Sequence, residues 1–406
     1  MDEHDQPRAP VVIGKGVVRA RLAAREVGAG LGPLAGTFVC AGAWYGSFAI
    51  ATSDVERALD VGHAGFGAYA ALLFATMAAA HIPGAALVER WGARVTLVLL
   101  VSVSGVLGIA ASVSPGGAGL AVAMLVHGAA AGALNAVMNA LALARLEGRP
   151  GAFVRFHAWW NVGVLSGAGL TGGVIEVGGS FRWAWAAIGS ATLVLVPAVM
   201  RLRVPPSLRA TPRRVRAVTL LRAPAVRVLA ALLVATTVVE AGLDVWGVLS
   251  LRERLAASAV QGAGAYAGGQ VLAVVARAVL GPVVATAGAR RACAVGAAAA
   301  TAGLTMQAVS SSPAAAGVGL ALAVMGIAIT GPLLLASASA TSTRPAPTVA
   351  ALTAVALLGG VLGPPLVGVV ADWLGLRAGL AVLAGVAALV VVVLLLTRPG
   401  TSTKVS

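Results

Sequence analysis

Apolar runs of twenty or more residues follow one another along most of this chain, and no other feature limits its fold so strongly. A helix needs ~20 mostly apolar residues to cross ~30 Å of hydrocarbon. Within that layer every backbone N–H and C=O has to be satisfied inside the segment itself. Twelve segments meet the condition, at roughly 31–53, 63–88, 95–113, 118–144, 153–176 and 181–200, then 225–250, 257–283, 291–310, 315–337, 348–371 and 377–397. The sequence is 59% hydrophobic and 11% charged, with a mean hydropathy of +0.93. A soluble domain of that composition would have to cover its surface with Ala, Val, Leu and Gly. The fold class expected is therefore an all-α integral membrane protein with twelve transmembrane helices.

One polar stretch divides the series. Residues 201–224 are rich in arginine and carry Pro205, Pro206 and Pro212, which oppose a continuous helix. No Asp or Glu falls between Glu176 and Glu240. This reads as a basic cytoplasmic linker between an N-terminal bundle at 31–200 and a C-terminal bundle at 225–397. Residues 1–30 form a cytosolic, partly disordered lead-in without a cleavable signal peptide, and 398–406 form a short cytoplasmic tail. With both ends inside, 24 of the 29 basic residues fall on the cytoplasmic side; Arg57, Arg182, Arg252, Arg254 and Arg377 fall outside. Asp54, Glu56, Asp60, Glu176, Glu253 and Asp372 lie near the outer face. The net charge of +15 is thus a topology signal for a plasma-membrane protein, not a nucleic-acid footprint. Cys40 and Cys293 sit inside apolar runs and read as small buried hydrophobes.

The chain also repeats itself. Gly92 and Gly288 stand 196 residues apart, as do Arg94 and Arg290, while Gly169 and Pro364 stand 195 apart. Two pseudo-symmetric six-helix bundles are expected, with a solute site between them near the bilayer midplane. The pairs Gly163–Gly167 and Gly359–Gly363 predict close helix–helix approach. The 196-residue offset sets Glu240 opposite Trp44.

The loop Ala85-Ala86-Leu87-Val88-Glu89-Arg90-Trp91-Gly92-Ala93-Arg94 resembles the major facilitator superfamily signature G-x-L-x-D-R-x-G-R-R, with Ala for the first Gly and Glu for Asp. The resemblance implies a gating role for Glu89, Arg90 and Arg94, which lock neighbouring helix ends in one state of the transport cycle. The second copy keeps Gly281, Gly288 and the gating Arg290, but has Ala285 and Thr286 in place of the charges. Four further stretches, Met138 to Arg149, Phe156 to Gly163, Glu240 to Trp246 and Leu362 to Arg377, look like a bacterial branch related to the fucose permeases. The drug-antiporter signature G-P-x-x-G-G is degenerate at Ala168 to Gly173, which lacks the proline.

Charge within the spans is scarce enough to be informative. Glu240 and Asp244 stand four apart, on one face of the seventh span. Glu240 is read as the more deeply placed proton-coupling acid. Asp244, nearer water, also suits a rim pairing with Arg252 or Arg254. Trp44, Tyr45, His127, Asn135, Asn139, Trp160, Asn161, Tyr266 and Gln270 are candidates to line the substrate cavity, though each also suits an interhelical hydrogen bond. His157 is expected to gate or to join helices, and Arg277 to snorkel. The sequence has no H-E-x-x-H, no metal-spaced His pair and no P-loop, so neither an enzyme nor an ATP-driven pump is read here. The reading is a monomeric secondary active transporter of a small organic solute, working by alternating access and coupled to protons, without cofactor or metal. Efflux of a metabolite or drug, or a non-transporting sensor of the same fold, are the alternatives.

Overall fold

The computed structural model describes residues 13–146, 156, 158–203, 224–341 and 345–397. The linker's proline-rich part, both tail ends and His157 lie outside the described residues. Among the described residues fourteen helices make twelve crossings: α1 (Ile13–Leu59), α2 (His63–Ala79), α3 (His81–Trp91), α4 (Ala93–Val113), α5 (Gly116–Arg145), α6 (Ala158–Glu176), α7 (Phe181–Val194), α8 (Val196–Met200), α9 (Pro224–Leu255), α10 (Ala259–Ala287), α11 (Ala289–Val309), α12 (Pro313–Thr341), α13 (Pro345–Leu374) and α14 (Leu376–Leu396). The lead-in expected to be partly disordered is helical from Ile13, continuous with the first crossing. Its alanines and leucines are good helix formers, and the helix tolerates Pro33 early in the span.

Two crossings are split, each for the same reason. Pro83 has no N–H to offer the carbonyl of Ala79, and the helix breaks at Ala80 between α2 and α3. Pro197 does the same to Leu193, and α7 gives way to α8 at Leu195. Both breaks fall inside spans that read as continuous in the sequence.

The two halves repeat almost residue for residue. The pairs Leu59 and Leu255, His63 and Ala259, Ala93 and Ala289, and Val113 and Val309 end or begin matching helices, each pair 196 apart. Gly92 and Gly288 turn α3 into α4 and α10 into α11 with φ of 81° and 83°, a conformation only glycine adopts without strain. In each half one seam is closed by glycine. Gly163 and Gly167 of α6 lie against the carbonyls of Val39 and Ala43 on α1, while Gly359 and Gly363 of α13 lie against those of Val234 and Val238 on α9. A Cβ at any of the four would collide with a carbonyl oxygen. These contacts also correct the expected register. Along this part of α1 and α9 the offset is 195, so Trp44 matches Val239 and Glu240 matches Tyr45. One core lies within each half, around Leu97 and Met138 and around Cys293 and Leu352. A third, containing Phe66, Trp185, Trp246 and Leu380, is shared by both halves.

Candidate functional site

The halves are joined at the protein's centre by a buried acid. Asp244 is 6% exposed on α9 and accepts hydrogen bonds from Tyr45 Oη of α1 and from Tyr266 Oη of α10, the latter at 2.7 Å. The rim pairing expected for Asp244 is not what forms. Arg252 pairs instead with Asp54, and Arg254 donates to the carbonyls of Gln307, Ala308 and Ser310. Glu240 lies on Asp244's face one turn away, deep within the molecule but with its side chain bordering open space. Helical rise alone sets how far a residue is along a span but not how wide the space beside it is.

Asp244 borders a cavity that reaches from the interface into the first half. Thr37, Trp44, Tyr45, Phe48, His127 and Asn135 are among the residues lining it, and it leaves about 100 Å³ in which the centre of a water-sized molecule can move. Trp160 also lines it, its ring 5.8 Å from that of Tyr45. At the far wall Trp44 lies between His127, 4.4 Å from its ring, and Trp185, 5.7 Å away. Four polar atoms there are buried and have no hydrogen-bond partner: Trp44 Nε1, Ser104 Oγ, Trp185 Nε1 and His127 Nδ1, though the His127 ring also lies within hydrogen-bonding reach of the Ser104 backbone. Each such group left dry costs about 1–3 kcal/mol.

The other candidates divide. Asn139 Nδ2 donates to Asn135, both to its backbone carbonyl and to its Oδ1 at 2.9 Å, so this pair is tied within α5. Tyr266 is fully buried behind Asp244, with half-buried Gln270 one turn along α10. Asn161 is half-buried on α6, outside the cavity wall. Arg277 donates to Ala328 O at 2.7 Å, bracing α10 against α12.

Bonds between the halves gather at one end of the molecule. Asp372, closing α13, accepts from Ala64 N at 3.1 Å in the first turn of α2. Glu176, closing α6, accepts from Val260 N at 3.2 Å in the first turn of α10. Donors and acceptors are both 196 apart, so each half caps a helix of the other with the same pair of positions. Carboxylates suit helix N-termini, where free N–H groups and the dipole favour negative charge. Beside them His63 bridges Glu56 at 2.7 Å and Glu253 of the other half at 3.8 Å, and Arg252 pairs with Asp54 across the same seam. At the opposite end Glu89, Arg90 and Arg94 are exposed and make no ion pair among the described residues. Arg290 donates to Thr397 O at the end of α14.

Two duplicated six-helix bundles, meeting at a central acid and held together at one end, define a membrane transporter of the alternating-access kind. The sequence agrees over most of its length. The profile of the Major Facilitator Superfamily matches residues 33–356, and the chain belongs to that family, which comprises secondary transporters rather than enzymes. No curated protein matches it by sequence. Among solved structures it superposes on the nucleoside transporter NupG with a TM-score of 0.72 at 13% identity, covering 89% of this chain and 97% of that one. It also superposes on a bacterial homologue of the human lysosomal transporter Spinster in an inward-facing, unoccupied conformation, with a TM-score of 0.70 at 14% identity over 91% and 96% of the two chains. At such identities the likeness is one of fold.

Sequence reasoning missed Ser104 and Trp185, and it gave Asp372 and Glu176 a place near the outer face but no role as caps. The 196-residue offset held a signal for the last two, since it pairs them with each other and pairs Ala64 with Val260. No linear pattern marks the cavity wall, because Ser104 and Trp185 come from helices far apart in the chain.

Proposed function

We propose that this protein is a proton-coupled transporter of a small, uncharged organic solute. It works as a monomer in the plasma membrane, with both termini and the 201–224 linker in the cytoplasm. The resemblance to the fucose-permease-related branch belongs to the same proposal. The observation that carries it is the sharing of Asp244 by Tyr45 and Tyr266, one from each half. An ionised carboxylate accepts from both phenols, whereas a protonated one gives up acceptor capacity and gains a donor. Proton load on Asp244 therefore alters the grip between the halves beside the solute cavity. Glu240, bordering open space one turn away on the same face, passes the proton between Asp244 and water.

The 24-to-5 excess of basic residues supports placing the joined end outside. In that orientation this is an inward-facing state, and exposed Glu89, Arg90 and Arg94 are the parts of a cytoplasmic lock that engages when the other end opens. Solute leaves or enters as the halves rock, the direction being set by which gradient is larger. The test uses the full chain in vesicles loaded with a pH-sensitive dye and challenged with a panel of uncharged metabolites. At least one should drive proton movement. Asp244→Asn should abolish that movement while still binding the same solute, and Glu240→Gln should only slow it. Undiminished proton flux in Asp244→Asn would overturn the coupling assignment.

A further inference from the structure

The unpartnered atoms of the cavity wall are not required by the fold, as the second half demonstrates. Matching the halves by their buried positions sets Trp44 against Val239, Ser104 against Ala300, His127 against Ala323 and Trp185 against Leu380. All four counterparts are apolar and 0% exposed. The same architecture therefore packs this place with aliphatic side chains in one half, yet in the other holds two indoles, an imidazole and a hydroxyl. Ser104 and Trp185 are 2% and 1% exposed, so solvent at the protein surface does not serve them. All four residues line the cavity, and their unpartnered atoms, which come from four different helices (α1, α4, α5 and α7), have almost no accessible surface, so a solute meets them only as these side chains turn toward it.

Their chemistry selects a ligand. Indole Nε1 atoms only donate, a hydroxyl donates or accepts, and an imidazole nitrogen does either according to tautomer. A solute filling this wall has to bring at least two acceptor atoms. It has to be uncharged, because no ionised side chain lines this wall and the nearest acid, Asp244, already accepts from two phenols. The rings of Trp44, Tyr45, Phe48 and Trp160 along the route favour a flat body.

We propose that the interior of the first bundle is the solute-recognition subsite, where Trp44, Ser104, His127 and Trp185 receive the carbonyl or ring acceptors of an uncharged, planar heterocycle. This rests on the transporter reading above and adds its substrate class. Bound solute supplies the partners that these atoms lack, so occupancy tightens the first bundle alone while Asp244 carries the proton at the cavity's mouth.

The probes are uracil, uridine and caffeine, which are uncharged and carry carbonyls on flat rings, with uridine 5′-phosphate as the charged comparator. Binding to the purified full chain is read by tryptophan fluorescence and calorimetry. At least one uncharged probe should bind and the phosphate should not. Ser104→Ala and Trp185→Phe should each weaken the bound probe about tenfold. In the absence of probe Ser104→Ala should melt at or above the parent's temperature, since it removes a buried atom with no partner, whereas Trp185→Phe also opens a void in the shared core and is read by affinity alone. A purely structural role for these groups predicts lower melting and unchanged affinity. The proposal falls if no uncharged probe binds, if affinity survives both substitutions, or if an experimental structure with the bound probe shows only water on the four atoms. A protein that binds at these residues yet moves no protons keeps the subsite and loses only the coupling.

Discussion

The first half opens a cavity where the second buries aliphatic side chains, although their helices begin and end at matching residues. Beside Trp44, Ser104, His127 and Trp185 the first half keeps open space; at the matching positions of the second half Val239, Ala300, Ala323 and Leu380 are fully buried. Small residues bring its helices together, with Gly303 and Gly319 facing each other and Gly326 against Gly296. The central acid Asp244 is on the second half, and one of the two phenols that hold it is on the first. Duplication thus supplied two copies of one scaffold, and the binding wall and the acid were divided between them. Arginine shows the same freedom of solution. The last carbonyls of α4 are met by Arg182 from α7, and the matching carbonyls of α11 by Arg254 from α9. The need recurs at every helix C-terminus, but which side chain answers it does not.

The largest test of this comparison strikes what the halves share. Gly167→Leu and Gly363→Leu each drive a side chain into a backbone carbonyl across the glycine seam, which cannot retreat without parting two helices. Both variants should fail to give a folded, monodisperse protein in detergent gel filtration. If one of them behaves as the parent does, the two seams are not equivalent.

A middle-sized effect sharpens the difference between the halves. Ala300→Ser places in the second half the hydroxyl that Ser104 carries in the first. Finding no partner there, it should destabilise the protein by about 1–3 kcal/mol, while Ser104→Ala does not. Thermal melting in detergent compares the two, and equal losses would mean that the cavity wall is as tightly packed as its counterpart.

The smallest effect concerns the caps that join the halves at one end. Asp372 and Glu176 are both exposed, so each cap contributes only about 0.3–1 kcal/mol to the closed arrangement. Asp372→Asn and Glu176→Gln should raise labelling of a cysteine placed at buried Ser53 by similar factors, about two- to fivefold for that energy. The reporter belongs in a background lacking Cys40 and Cys293, with an impermeant thiol reagent applied outside intact cells. Labelling that responds to one substitution and not to the other would break the symmetry of the latch. No labelling in any variant would place this end on the cytoplasmic side.

Much of the architecture is legible before folding because the bilayer imposes it. Hydrocarbon thickness sets the length of each apolar run, and duplication sets the spacing of Gly92 and Gly288. Gly163, Gly167, Gly359 and Gly363 announce their seams because a four-residue spacing keeps two glycines on one helix face. The site is less legible. The sequence pointed to Glu240 and Asp244 together, with Glu240 as the deeper of the two; packing buried Asp244 between two phenols and left Glu240 bordering open space. The offset between α1 and α9 is 195 and not 196, a difference of one residue that moved Glu240 from opposite Trp44 to opposite Tyr45. Trp185 and Ser104 looked like ordinary members of apolar spans, and their unpartnered atoms exist only because four helices converge on one space.

By itself, then, the sequence determined the number of crossings, their pairing into two halves and the close seams, since these depend on local composition, spacing and the thickness of a membrane. Only the tertiary structure decided which half opens a cavity, which acid the phenols hold and which end is joined. Those properties depend on whether a polar atom on one helix meets a partner on another, and that is a matter of distances between residues far apart in the chain, such as Ala64 and Asp372, 308 positions apart, or Trp44 and Trp185.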